Sequence, residues 1–270
     1  GRLPWIRFAG FEFDGEQERW ELYHITEDYS QGHDLAAQFP DKLEALKQRF
    51  EEEAQRYGVY PLRDASARRG GEYAVPHSLD GHTRMTYSPM HVRMPEHSII
   101  NLKNSSYRIS ARFAVTAEPA SGVLCCQGGN MAGWALYVDE DGIPTYLYNW
   151  FGHELTFVRG ADAIVPGEHE LAVDYAHDGG FAKGGMASLR LDGVVVAEAR
   201  IERTVPVVYS MSGETFDVGR DTGSPVGPYP HGFPFNGTIT SVTLERLSQP
   251  GEDVRKQEAR GRFVAGVSSQ

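Results

Sequence analysis

The chain has 270 residues, of which 40% are apolar, so it can form one large domain or two smaller ones with a sizeable core. Its net charge of −11 makes nucleic acids and anionic membrane surfaces unfavourable partners, because both are negatively charged. No apolar run reaches the roughly 18 residues that a membrane-spanning helix needs, so the sequence predicts neither a nucleic-acid partner nor a membrane span.

Residues 1–62 predict a small α+β segment with two strands and one long helix. Two apolar runs, 3–13 and 19–25, flank a turn at Asp14-Gly15-Glu16, which is typical of a β-hairpin. A helix then begins at Pro40, a residue suited to the first helical position, and ends before Gly58. Its apolar residues recur every three or four positions, so they form one stripe that needs a partner to cover it. The stripe consists of Leu43, Leu46, Phe50, Ala54 and Tyr57.

Residues 63–76 lack periodicity, and we interpret them as a linker. Short candidate strands follow over 77–247, separated by Gly, Asp and Pro turns and without intervening helices. Residues 107–115 alternate between apolar and polar, and Asp192-Gly193 is a type I′ hairpin signal. The region therefore predicts a mainly-β antiparallel sandwich, of the concanavalin or laminin-G kind. Residues 248–270 form a polar tail, for which we expect disorder or a short helix packed on a neighbour.

Cys125 and Cys126 are the only two cysteines, and adjacent cysteines rarely bridge each other. The lack of a disulfide scaffold suits a reducing compartment, and we recognise no signal peptide. The sequence thus predicts a cytoplasmic location, with a periplasmic or secreted one as the alternative. Because the chain begins at Gly1 and turns apolar at once, we also expect it to start inside a domain.

The common catalytic and metal-binding motifs are absent from the sequence: it has no phosphate-binding loop, no His-Glu-x-x-His and no Gly-x-Ser-x-Gly. Asp217 and Asp221 lie among glycines and suggest a calcium loop, but a rigid turn whose carboxylates cap N–H groups is favoured. Four histidines cluster early in the second region, at spacings that match no compact ligand motif. They are His77, His82, His91 and His97. We predict no catalytic and no metal-binding residue.

Aromatic side chains are concentrated in the candidate strand 144–150. Strand alternation puts Tyr146, Tyr148 and Trp150 on one side. Rings on a sandwich face can stack on sugars, so Tyr148 and Trp150 are candidates for glycan stacking. Core or interface positions are the alternative for such residues.

Longer phrases resemble a known enzyme family. Trp20-Glu-Leu-Tyr-His-Ile and Asp34-Leu-Ala-Ala are similar to the end of the catalytic domain of bacterial type I arylsulfatases, which depend on formylglycine. The phrases Gly81-His-Thr-Arg-Met-Thr-Tyr, Gly133-Trp-x-Leu-Tyr-Val and Glu214-Thr-Phe-Asp-Val-Gly are similar to the C-terminal β-sandwich extension of those enzymes. Over most of residues 19–247 the chain resembles the C-terminal portion of such an arylsulfatase.

That resemblance implies a sulfate monoester hydrolase whose nucleophile and metal ligands lie in an N-terminal part that is not in this sequence. It implies that this chain alone is inactive, and that calcium or another divalent cation binds only in the N-terminal part. The implied partners are that catalytic body, on the same gene product or on a second chain, and a second copy in a homo-oligomer. His82, Arg84 and Tyr87 would lie at the active-site rim, where a positive side chain could steer a sulfate ester; an ordinary sandwich turn is the alternative.

Two other functions stay open at this point. The first is a free-standing, lectin-like module that binds glycans or sulfated glycans. The second is a structural or oligomerising domain with a large apolar contact surface. The first predicts saturable sugar binding, and the second predicts no ligand.

Overall fold

The computed structural model of the protein describes residues 19–59, 79, 81–116, 118–210 and 213–268, with side chains up to 262. The chain divides into two compact units, Gly1–Val75 and Pro76–Gln270. In this described part, none of the helices has the length and apolar character that crossing a membrane requires.

The first unit contains the long helix that the sequence predicts, α1 (Pro40–Arg56). Pro40 lies in its first turn, where the missing N–H is not needed. Gly58 follows the helix with φ of +65°, a left-handed conformation that suits glycine at a helix end. Within the apolar stripe Ala54 is buried, whereas Phe50 keeps 36% of its surface exposed. The stripe is therefore only partly covered.

The predicted strand at 19–25 is wrong. These residues are irregular and lead into a turn. The physical reason is local, because the Asp34 carboxylate accepts the main-chain N–H groups of Leu22 at 3.0 Å and Ala36 at 2.9 Å. A side chain that takes main-chain donors competes with a strand ladder. The other predicted strand and its turn, 3–16, lie outside the described residues.

The second unit is an antiparallel β-sandwich, which confirms the predicted fold class. One sheet has the strand order β1-β11-β2-β7-β8-β9 and the other β10-β3-β4-β5-β6, with strands numbered along the chain. The strands are β1 (Arg84–Tyr87), β2 (Tyr107–Val115), β3 (Gly122–Gly129), β4 (Ala132–Val138), β5 (Pro144–Trp150), β6 (Glu154–Arg159), β7 (Gly167–His177), β8 (Lys183–Leu191), β9 (Val194–Arg203), β10 (Phe216–Val218) and β11 (Thr238–Arg246).

Strand β2 illustrates how the sequence pattern builds the sandwich. Ile109 and Phe113 are buried in the core between the sheets, as the alternation predicts. Arg108 lies on the opposite face, where a guanidinium N–H donates to Asp174 of β7 at 3.0 Å. Apolar side chains thus fill the space between the sheets, and ion pairs cover the outside of the six-stranded sheet.

Two tight places in the sandwich depend on glycine. Asp192 and Gly193 join β8 to β9 with φ of +50° and +82°, which confirms the predicted hairpin turn. Gly122 begins β3 with φ of +119°, and a Cβ there would lie 2.3 Å from the Cα of Phe235. No side chain fits at that distance, so glycine is required where the two main chains meet.

Strands β3 and β4 of the five-stranded sheet are buried on both faces. Cys125 of β3 packs into the main core between the sheets. Its neighbour Cys126 packs on the other face with Val226 and Phe233, which belong to the segment after β10. That segment therefore acts as an additional layer over the sheet.

The polar tail forms a second helix, α2 (Glu252–Ser268), longer than the short helix that we considered for it. It packs on the sandwich at a close approach, since a Cβ on Gly261 would lie 2.6 Å from Cγ2 of Val207. The Asn104 side-chain amide also donates to Glu258 Oε1 at 2.6 Å. Among the described side chains, a close approach to Val207 and a polar contact with Asn104 fix this helix, and neither needs a regular apolar stripe in its sequence.

Candidate binding site

A cavity of about 760 Å³ lies between α2 and loop segments of the sandwich. One segment, 95–103, precedes β2, and described residues within 207–210 and 213–215, between β9 and β10, form another part of the wall. Leu79, Gly81 and His82, before β1, also line it. The charged and titratable groups that decide its chemistry include His82, Glu96, Lys103, Arg246, Arg255 and Glu258.

A buried ion pair forms one side of the cavity. The Lys103 ammonium donates to Glu96 Oε1, and both side chains are largely shielded from solvent. The other Glu96 oxygen accepts the N–H groups of Tyr209 and Ser210, each at 3.0 Å. Each charge is thus compensated locally, which a buried pair needs if it is to persist. The pair also fixes the 207–215 segment against the segment that precedes β2.

Asn104 connects α2 to the sandwich on the opposite side. Its amide group donates to Glu258 and to the Pro206 carbonyl, and its side-chain oxygen accepts the N–H of Ala182. Asn104 has φ of +52°, a left-handed conformation that Asn tolerates better than most residues. Glu258 is only 6% exposed, and its hydrogen bond from Asn104 already fixes its position within the protein.

Arg246, at the end of β11, lines the same cavity. Its Nε atom is buried and has no hydrogen-bond partner within the described residues. Burial lowers the pKa of the Arg246 guanidinium, and the Glu258 charge opposes that effect. Arg255 of α2 also lines the cavity and joins none of the ion pairs of the described part. The cavity thus contains positive charge that the protein itself does not fully neutralise.

The structure brings one of the three predicted rim residues to this cavity. His82 lines it. Arg84, in β1, is largely exposed and lies 3.8 Å from the Glu245 carboxylate on the neighbouring strand. Tyr87 is buried, with its ring centroid 4.9 Å from that of Phe216, and burial raises the pKa of its hydroxyl. Strand alternation within β1 separates these side chains, so they do not act as one group.

Neither candidate for glycan stacking offers an open ring. Tyr148 is 1% exposed, its hydroxyl accepts the Val205 N–H at 2.9 Å, and burial raises its pKa to about 12. Trp150 is half-buried, and the guanidinium of Arg203 lies 4.0 Å from its ring centroid. The aromatic side of β5 faces the core between the sheets, which corrects the stacking hypothesis.

Among the described histidines of the early cluster, His91 lies apart from the other two. His82 and His97 line the cavity. His91 accepts the Ser88 N–H at Nδ1, at 3.0 Å, and its ring packs edge-on against Tyr87. His77 lies outside the described residues.

The Asp217 carboxylate serves as a clamp between loops. One of its oxygens accepts the N–H of Arg93 at 2.5 Å, and the other accepts the Thr222 hydroxyl at 2.8 Å and the Thr215 hydroxyl at 3.1 Å. These contacts agree with the predicted rigid turn, in which a carboxylate caps N–H and O–H donors.

Asp221 lies close to Asp217 and Cys126, and these three could in principle surround a metal ion. One Asp221 oxygen already accepts the Val226 N–H at 3.0 Å and the Tyr229 hydroxyl at 2.8 Å. Burial raises the pKa of this carboxyl group. Hydrogen-bond donors already occupy most of the carboxylate oxygens of Asp217 and Asp221. These side chains are therefore better suited to holding the loops together than to binding a cation.

The sequence did not lead us to Glu96, Lys103, Arg246 or Glu258. They are distant along the chain, and only the packing of α2 brings them to one cavity. A usable signal was the set of basic residues in the tail of an otherwise acidic chain. It includes Arg255, Lys256, Arg260 and Arg262.

No family model matches the chain, and no curated protein matches it. The sandwich is similar to solved structures at low identity. A CBM40 domain of the Ruminococcus gnavus IT-sialidase, bound to α2,3-sialyllactose, is 14% identical over 64% of this chain and 97% of that one, with a TM-score of 0.43. A galectin from Caenorhabditis elegans is 10% identical over 61% of this chain and 96% of its own, with a TM-score of 0.35. A pentraxin from Limulus polyphemus is 11% identical over 53% and 66%, with a TM-score of 0.33.

These findings correct the expected relation to arylsulfatases, and with it the expectation of a sulfate ester hydrolase. The three solved structures named above are a CBM40 domain, a galectin and a pentraxin, and none of them is a sulfatase domain; no family model connects the chain to sulfatases. The phrases that suggested the relation include a strand and its lead-in at 81–87, the strand at 133–138 and the clamp at 214–226. They specify turns and packing and carry no chemistry of sulfate transfer. The divalent cation and the N-terminal catalytic partner, which only that resemblance implied, stay predictions without support from the described residues.

Proposed function

We propose that the second unit is a non-catalytic, carbohydrate-binding module and that its ligand occupies the cavity beside α2. The observation that carries this proposal is the cavity itself. Its volume of about 760 Å³ falls within the roughly 300–1,000 Å³ of small-molecule sites. The two thiols of the chain are poor candidates for a nucleophile, because burial raises the pKa of both.

The lining suits a sugar because it combines donors and acceptors with small aliphatic surfaces. Asn101, Ser210 and Gln249 supply amide and hydroxyl groups, which can both donate and accept hydrogen bonds. Ile99 and Val208 supply apolar contact for the C–H faces of a ring. Aromatic side chains are missing among the lining residues of the described part, so hydrogen bonds would hold the ligand in place of stacking.

A blocking substitution tests the proposal. Val208 is half-buried and lines the cavity, so V208W should fill the space that a sugar needs. The matched control is V194W, at a position that is 66% exposed in the β8–β9 hairpin. The native chain and both variants would be screened on an array of neutral and acidic glycans, and the best hit titrated by calorimetry.

We expect V208W to weaken binding of that glycan by at least about tenfold, which corresponds to the loss of one good contact, and V194W to leave it unchanged. A native chain that binds none of the glycans would overturn the proposed function. Equal affinity of V208W and the native chain would move the site away from this cavity.

A further inference from the structure

We infer that the ligand of this cavity carries an anionic group, a carboxylate or a sulfate, and that Arg246 determines this specificity. The inference deepens the proposed function and rests on it. It starts from the charges that line the cavity and from the partners that each of them already has.

The carboxylates of the cavity are already engaged within the protein. Glu96 pairs with Lys103, and Glu258 accepts from Asn104. Glu214 accepts the Ser224 hydroxyl at 3.0 Å. These side chains are therefore held by their present partners and are poorly placed to neutralise a further cation.

The arginine side chains of the cavity are less completely paired. Arg246 has a buried Nε without a hydrogen-bond partner in the described part of the chain, and Arg255 joins no ion pair there. Arg262 forms an ion pair with Glu258, but their separation of 3.8 Å is too long for a hydrogen bond. A buried guanidinium N–H without an acceptor is costly, and an anion bound beside it would recover that cost.

The type of basic residue narrows the ligand. A guanidinium presents parallel N–H donors that match the two oxygens of a carboxylate or sulfate. A neutral sugar would gain little from such a group, since its hydroxyls are served equally well by amides. Incompletely paired arginines in a chain with a net charge of −11 also make this cavity a local attractor for an anion.

The test compares matched sugars on the full chain. The probes are a uronic acid disaccharide with its carboxyl-reduced counterpart, and a sulfated disaccharide with its desulfated counterpart. Calorimetry at low salt gives the ratio of acidic to neutral affinity for the native chain, R246Q and R255Q. The control is R112Q, because Arg112 is exposed on the outer face of β2 and pairs with Glu170.

We expect the native chain and R112Q to prefer one acidic sugar over its neutral counterpart by about tenfold or more, as one charge-assisted contact provides. R246Q should lose most of that ratio and R255Q part of it. Circular dichroism of R246Q separates a folded variant from an unfolded one, and R255Q, altered on an exposed helix, keeps the test decisive if R246Q does not fold.

The outcomes separate the two proposals. Equal binding of acidic and neutral sugars by the native chain would overturn the anionic ligand and leave carbohydrate binding intact. A ratio that R246Q preserves would overturn the role of Arg246. If the native chain binds none of the four sugars and no glycan of the array, the proposed function itself is wrong. Whichever acidic sugar binds more tightly than its neutral counterpart shows whether the ligand's charge comes from a carboxylate or from a sulfate.

Discussion

His177, near the end of β7, shows how a single buried imidazole makes the stability of the sandwich depend on pH. Its Nδ1 accepts the Gly179 N–H at 3.0 Å. Burial lowers the pKa of His177 and outweighs the Lys183 carbonyl and the Asp178 carboxylate, which both act to raise it. The folded state therefore prefers the neutral ring, and protonation favours the unfolded chain.

The free energy of unfolding should thus carry a His177 contribution that is fully present above about pH 6.5, the ordinary pKa of histidine. This contribution is lost as the pH falls from there towards the lowered pKa of the folded state. The substitution H177N keeps an acceptor for Gly179 but cannot be protonated. Urea unfolding at pH 7.5 and pH 5 should show a smaller loss of stability for H177N than for the native chain.

The exposed His231 provides the control for this measurement, because H231N should leave the pH dependence as it is. If H177N loses as much stability as the native chain between the two pH values, another group is responsible. The carboxyl of Asp221 acts in the opposite sense, since its pKa is raised by burial and its protonation favours the folded state.

At the scale of elements, the start of β3 is one of the tightly constrained points of the sandwich. Gly122 combines φ of +119° with main chain at 2.3 Å from the position of a Cβ. Gly193, in the β8–β9 turn, also has a positive φ, of +82°, but nothing lies within 4 Å of its Cβ position. Comparing substitutions at Gly122 and Gly193 therefore separates the effect of a steric clash from the effect of backbone strain.

We expect G122A to destabilise the protein by about 3 kcal/mol or more, because the neighbouring strand segment must move. G193A should cost only about 1 kcal/mol, the penalty of a left-handed alanine in open space. Denaturant midpoints of the two variants would be compared at one pH. Midpoints that differ little would mean that the chain around Phe235 relaxes easily and that the close approach is not structural.

The strands were predictable from the sequence because many of them are short apolar runs that end close to a glycine, aspartate or proline. In β2 the alternation even identified which side chains are buried. The same rule failed for Tyr148 in β5, because alternation shows that three side chains share a face but not whether that face is covered. For the tail we expected disorder or a short helix, and the 17-residue length of α2 was not predicted because its sequence shows little apolar periodicity.

The candidate site was less predictable than the fold. His82 was the one predicted site residue that reached the cavity, while the residues that define its charge come from positions as far apart as 96 and 255. A single sequence contains no signal that connects them, since no motif spacing or periodicity spans such a distance. Only the docking of α2 onto the sandwich places Arg246, Arg255 and Glu258 around one space.

At the scale of the whole molecule, the division into two units has a direct consequence for folding. The main core cluster runs from Tyr87 to Leu244, entirely within the second unit. The described residues that line the cavity also belong to that unit. The second unit therefore contains its own hydrophobic core.

We expect a protein limited to residues 76–270 to fold cooperatively and to retain the glycan affinity of the full chain. Near-ultraviolet circular dichroism and thermal unfolding would report its packed core, and calorimetry its affinity. A chain that unfolds without cooperativity, or that has lost its near-ultraviolet signal, would show that the first unit completes the second.

The neighbouring cysteines offer a final consequence of the two-sided burial of β3. One thiol lies between the sheets and the other lies beneath the segment that follows β10. Alkylation of Cys125 requires the two sheets to separate, whereas alkylation of Cys126 requires only that the covering segment moves away. The alkylation rates of the two adjacent cysteines therefore report two separate opening motions, and the ratio of these rates ranks the openings by free energy.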